Sequence, residues 1–161
     1  MGDKWGFRKG GKIMAKKYVK MAIVVVAAVF ALLGVVAFDW VSSKMSAGGA
    51  SESMKFALGD LKKAEAFGFM NAFAVISYIV ALATAVVYVV NQFVEIDVLK
   101  KVQKYLAMAT ALVALILVVA LMIFCIKNTQ EFMGVKQTIW WAFGAYATVI
   151  GTAVTGVVAT K

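Results

Sequence analysis

Four apolar runs organise this chain, separated by short polar segments. They are Met21 to Val41, Phe69 to Val90, Leu106 to Ile126 and Thr138 to Ala159. Each is about as long as the 20 or so residues a helix needs to cross the hydrocarbon core of a bilayer. The pattern predicts an all-α integral membrane four-helix bundle with up-down topology. One such unit, residues 21–161, uses up the chain after a basic amphipathic N-terminal arm, residues 1–20.

The polar segments orient the spans. With an even number of spans both termini share a side. That side holds the arm, the second connector (Lys100, Lys101, Lys104) and Lys161, giving 11 basic residues. The other side holds Lys44, Lys55, Lys62, Lys63, Lys127 and Lys136. Positive charge favours the cytoplasmic face, so both termini are predicted to be cytoplasmic. Trp40, Trp140 and Trp141 then fall at outer span ends, and Tyr18, Tyr88 and Tyr105 at inner ones. Interfacial aromatics suit both positions.

The first connector has a flexible turn at Ser46 to Ala50. Beyond it Met54, Ala57, Leu58, Leu61 and Ala64 share one face at helical spacing. This predicts an amphipathic helix that prolongs the second span or lies on the membrane surface.

Small residues give the spans their specificity. In the fourth, Gly144, Thr148, Thr152 and Gly156 recur every four residues, beside Ala147, Gly151, Thr155 and Ala159. Ser77, Ala81 and Ala85 form a shorter ladder in the second. Such faces let membrane helices approach closely. Gly144, Ala147, Thr148, Gly151, Thr152, Thr155, Gly156, Ser77, Ala81 and Ala85 are therefore the expected helix-packing interface. The fourth span's face is expected to meet a neighbouring copy or partner subunit, with packing inside the bundle as the alternative.

Composition narrows the chemistry. The chain is 63% hydrophobic and 16% charged, with no His, no Pro and one Cys among 161 residues. His-ligated metals, His-dependent catalysis and an intrachain disulfide are excluded. Pumps, charge-coupled carriers and voltage sensors keep ionisable groups within the membrane, whereas here hydroxyls prevail. Asp39 reads as a span-end residue, and Cys125 and the nine Met as packing. No catalytic, metal or cofactor site is expected.

Lys4, Arg8, Lys9, Lys12, Lys16, Lys17 and Lys20 form a juxtamembrane basic cluster of the kind that binds anionic lipid headgroups. Nucleic acid is not expected as a partner unless the chain faces a genome in a virion. The tetraspan pattern and the Met1-Gly2-Asp3 start resemble connexins, and Trp40 after the first span resembles claudins. Both families carry paired extracellular cysteines, which this chain lacks, so no residue roles are transferred.

The resulting expectation is a non-enzymatic structural protein of the cell membrane that self-associates into an oligomer, array or membrane complex. The alternatives are an oligomeric channel or transporter subunit, an accessory subunit of a respiratory or secretory complex, and a virion membrane shell protein.

Overall fold

The computed structural model describes residues 6–61, 68–94 and 96–160, with side chains omitted at 6–13, 61, 68 and 69. The elements run α1 (Gly6–Val36), β1 (Asp39–Ala47), β2 (Ala50–Ala57), α2 (Leu58–Leu61), α3 (Gly68–Phe93), α4 (Asp97–Asn128), β3 (Gln130–Phe132), β4 (Val135–Trp141) and α5 (Phe143–Ala159). Among the described residues five helices are joined by a four-stranded antiparallel sheet of order β2-β1-β4-β3. The expectation of an all-α four-helix bundle is therefore corrected.

Among the described residues three helices are long and apolar enough to cross a membrane: Met14–Val36 within α1, Met70–Phe93 within α3, and α4. That is compatible with a multi-pass membrane protein. The fourth predicted span is divided. Thr138 to Trp141 belong to β4, and α5 keeps 17 residues. The first is also shortened, because α1 ends at Val36 and Asp39 to Val41 begin β1. Apolar content alone cannot separate a helix from a buried strand when the two abut.

Both connectors that were expected on the outer side fold into the sheet. The register pairs Val41 with Trp141, Ser43 with Ile139 and Ser46 with Lys136 across β1 and β4. The predicted amphipathic helix after Ser46 is instead strand β2, followed by one turn of helix, α2. Gly48 and Gly49, both at positive φ, make a two-residue turn between the paired residues Ala47 and Ala50. Gly-Gly is well suited to such a hairpin turn. Predicted residues Ala64 and Lys62 to Lys63 lie outside the described residues.

The second hairpin turns at Met133 (φ 49°) and Gly134 (φ 76°), between paired Phe132 and Val135. A side chain in the left-handed region costs about 1–2 kcal/mol, less for Asn. Met133→Asn should therefore stabilise the protein by about 1 kcal/mol. A thermal melt in detergent should show a rise of roughly 2–4 °C, the scale for a chain of this size. An unchanged or lowered midpoint would contradict that turn.

The sheet is packed onto the helix ends rather than standing free. Trp40, Val41 and Ile139 share a buried cluster with Leu58 and with Met70, Ala74, Leu117, Leu121 and Phe124 of α3 and α4. Trp40 is the extra residue of a bulge between the pairs Asp39–Ala57 and Val41–Phe56. A bulge re-aims a side chain, and here the indole is fully buried and donates to the Gly34 carbonyl at 2.7 Å. The main chain adds a second tie, Ala142 N–H to the Trp40 carbonyl at 2.9 Å.

At the opposite end a smaller cluster joins Val24, Ala28, Ala85, Tyr88, Ala107 and Ala159. Beside it Asn91 donates to Gln103 at 2.6 Å, Gln103 donates to the Ala159 carbonyl at 2.8 Å, and Lys17 donates to the Gln92 carbonyl. The residues around the N-terminal half of α1, the short α3–α4 link and the end of α5 thus share one end. The sheet occupies the other.

Candidate functional site

The predicted packing face of α5 lies inside a single chain. Gly144, Ala147, Thr148, Gly151, Thr152, Thr155 and Gly156 are all buried, as are Ser77, Ala81 and Ala85 on α3. Two faces of α5 are used. A Cβ built on Gly144 would lie 2.6 Å from the Gly34 carbonyl oxygen, and one on Gly151 would lie 2.6 Å from the Ala31 nitrogen, both on α1. One on Gly156 would lie 2.7 Å from the Ala111 nitrogen of α4. The small-residue face thus meets helices of the same chain, α1 along Gly144 and Gly151 and α4 at Gly156, with backbones in near contact. Small residues permit that approach, and dispersion between the backbones rewards it.

The buried hydroxyls are mostly satisfied by the turn before them. Ser77 donates to the Phe73 carbonyl at 2.7 Å, Thr155 to Gly151 at 2.8 Å and Thr148 to Gly144 at 2.9 Å. Thr84 and Thr110 join α3 to α4 with their oxygens 2.6 Å apart. One hydroxyl of that pair donates to the other, and the second keeps a bond to its own helix, at 2.7–2.8 Å. Thr152 differs: its fully buried hydroxyl has no partner among the described residues.

That contrast predicts opposite signs. Thr152→Val removes an unsatisfied group and preserves shape, so it should leave stability unchanged or raise it by up to about 1 kcal/mol. Thr84→Val should cost about 0.6 kcal/mol, the usual size for a hydrogen bond between membrane helices. Denaturation by sodium dodecyl sulfate titration would rank them. A loss with Thr152→Val as large as with Thr84→Val would contradict the assignment.

The basic arm is only partly visible. Lys4 lies outside the described residues, and Arg8, Lys9 and Lys12 fall on α1 without described side chains. Lys16 and Lys17 are exposed and Lys20 is half-buried. Lys17 is drawn to the Gln92 carbonyl at the end of α3. The residues that tie this end, Asn91 and Gln103, were missed as a pair. Their signal was available, since each is an uncharged amide at the margin of an apolar run.

Two surface grooves accompany these helices. One of about 350 Å³ runs between α1 and α5 and is lined by Ala22, Val26, Phe30, Ile150, Gly151 and Val154, among others. The second, of about 440 Å³, lies where the end of α4, the end of β4 and the first turn of α5 meet. Among the described residues no three His, Cys, Asp or Glu side chains gather as a metal would require. The chain matches no protein-family model and no curated protein.

Proposed function

We propose that this chain is a non-enzymatic structural protein of a cell membrane, self-associating side by side, with the basic segment of α1 on anionic headgroups. The observation that carries the proposal is the groove between α1 and α5. The small-residue face is buried within the chain, and of its residues Gly151 also lines the groove. What it leaves outside is a shallow apolar channel along the α1–α5 seam, floored by Gly151 and bordered by Val26, Phe30, Ile150 and Val154. A second copy's helix fits such a channel by the close-packing rule that joins α1 to α5. Exposed Lys16 and half-buried Lys20 continue α1 beyond this channel, where anionic headgroups suit their charge.

The sheet supports the same reading. It locks both connectors together and holds the helix ends in fixed relation, as a repeating subunit requires. A pore between copies lined by hydroxyls is less well supported. Ser77, Thr84, Thr110, Thr148, Thr152 and Thr155 are buried within one chain.

The test must avoid the buried face. A Leu at Gly151 would collide with Ala27 and Ala31 of the same chain and would report folding. Ala22 is exposed and lines the groove, so Ala22→Trp fills the channel from outside. Native mass spectrometry in mild detergent should find the wild type oligomeric and Ala22→Trp monomeric, with membrane insertion of both intact. A monomeric wild type would sink the proposal, as would an oligomer indifferent to Ala22→Trp.

A further inference from the structure

The sheet register gathers charge on one face. Val41, Ser43 and Ile139 are buried against the helix ends, so the residues that alternate with them on β1 and β4 point away from the helices. Directly paired residues share a face. The rows of this outward face are therefore Lys55–Ser42–Trp140, Ser53–Lys44–Thr138 and Ser51–Ser46–Lys136–Glu131.

Each lysine stands one strand over and two residues along from the next. Diagonal neighbours of this kind are about 7–8 Å apart, so Lys55, Lys44 and Lys136 form a straight line of about 15 Å. All three are exposed, and among the described residues none of them makes an ion pair. Glu131 is the one carboxylate in these rows, at the far edge of the sheet. Glu52 pairs with Met45 and belongs to the opposite face. Asp39 and Asp60 lie at the helix end, outside the rows. Three ammonium groups so placed repel one another, and a line of negative charge relieves that repulsion.

The character of the face selects among anions. It turns away from the helices, and so from the headgroups that surround them. A second copy of the same face would set lysine against lysine. Lys supplies all the charge, as mobile point charges, where planar bidentate contacts to phosphate would favour Arg. Hydroxyls that both donate and accept fill the places between the lysines, as the register shows for Ser42, Ser46, Ser53 and Thr138. One aromatic, Trp140, stands in the Lys55 row, 63% exposed and held by its Nε1 bond to the Tyr146 hydroxyl at 3.1 Å. Single-stranded nucleic acids are held on successive aromatic platforms, whereas a single indole serves one ring of a sugar chain. A line of charges, intervening hydroxyls and one ring platform are what a chain of acidic sugars presents in complement.

We propose that the outward face of the sheet binds an acidic polysaccharide in the aqueous phase. Its carboxylates lie along Lys55, Lys44 and Lys136, and one sugar ring rests on Trp140. The inference goes beyond the structural role above and needs neither self-association nor lipid on α1.

The experiment measures binding of the purified full-length protein, in detergent, to immobilised oligogalacturonate by surface plasmon resonance. The wild type should bind, and more weakly as salt rises. Lys44→Gln, Lys55→Gln and Lys136→Gln should each weaken binding about threefold and together about thirtyfold, the scale of exposed charge pairs. Lys100→Gln, Lys101→Gln and Lys104→Gln together remove the same charge from the exposed opposite end and should leave binding unchanged. Trp140→Ala should weaken binding severalfold while keeping the salt dependence of the wild type, a result that loss of charge does not produce.

No binding by the wild type would overturn the proposal, as would equal losses in the two triple variants. Tighter binding of oligothymidylate or polyglutamate at matched charge would overturn it too. All six lysines are exposed, so the variants should melt with the wild type. If the sheet triple does not fold, Lys44→Gln alone decides. A monomer that binds oligogalacturonate supports this inference even where self-association fails.

Discussion

Replacing Trp40 with alanine should destabilise the protein by about 3–5 kcal/mol, the range for truncating a large buried aromatic. The indole is fully buried at the seam between sheet and helices, and its N–H holds the Gly34 carbonyl at 2.7 Å. Its loss opens a cavity among Val41, Leu117, Leu121 and Ala145, and leaves a buried acceptor unmet. Trp40→Phe separates these terms, since it retains most of the volume and should cost about 1–2 kcal/mol for the hydrogen bond and residual gap. Trp140→Ala is the control. Its side chain is 63% exposed and should change stability by no more than about 0.5 kcal/mol. Thermal unfolding in detergent, followed by near-ultraviolet circular dichroism, would rank the three. Equal losses for Trp40→Ala and Trp140→Ala would remove the sheet from the folded core.

Gly34→Ala should cost about 2–3 kcal/mol, at the upper end for overpacking by a single methyl. The added Cβ would stand 2.7 Å from both the Gly144 carbonyl oxygen and the Thr148 nitrogen. These are backbone atoms of α5 and cannot rotate away, so the helices must part. Separation would also disturb the Thr148 hydroxyl, which lies 3.3 Å from the Ala31 carbonyl. Gly144→Ala strikes the same contact from the other side, with its Cβ 2.6 Å from the Gly34 carbonyl. The two should therefore be markedly less than additive, because once the helices have moved apart the second methyl meets less resistance. Gly59→Ala, whose Cβ would meet nothing within 4 Å, should be tolerated. A double variant as destabilised as the sum of the singles would contradict the shared contact.

Most of the helical content was legible because it is long and apolar. α3 and α4 contain the second and third predicted spans, α3 running on to Phe93 and α4 beginning earlier, at Asp97. Residues that sequence spacing selected for close packing on α5 are buried on that helix. The choice between an internal and an external partner was not legible, because a small-residue face is the same in either case. The geometry resolves it: Gly144 and Gly151 meet α1, and Gly156 meets α4.

The sheet was hidden for three physical reasons. Strand β2 is exposed along most of its length, so no alternation of buried and exposed positions marks it. Strand β1 follows α1 after only two residues, and its first residues, Asp39 to Val41, prolong an apolar run. Strand β4 likewise joins α5 through Ala142 alone, so Ile139 to Trp141 read as part of a span. Local clues existed. Gly48-Gly49 between short polar runs is a hairpin signal, and Thr138 to Trp141 is rich in residues that favour strands. Pairing of β1 with β4 joins segments about ninety residues apart, and no local pattern states it.

The central claim is that both connectors join in one sheet, with β1 against β4 in a fixed register. Disulfide trapping tests it most directly. In a Cys125→Ser background, Lys44→Cys with Thr138→Cys places thiols on directly paired residues. Lys44→Cys with Glu131→Cys places them on strands separated by β4 and offset by two residues, about 12 Å apart at the usual strand spacing and rise, beyond disulfide reach. Mild oxidation in membranes should close the first pair within single chains, seen as a faster non-reduced band, and leave the second pair open. A first pair that stays open, closes only between chains, or closes no faster than the second would contradict the fold described here.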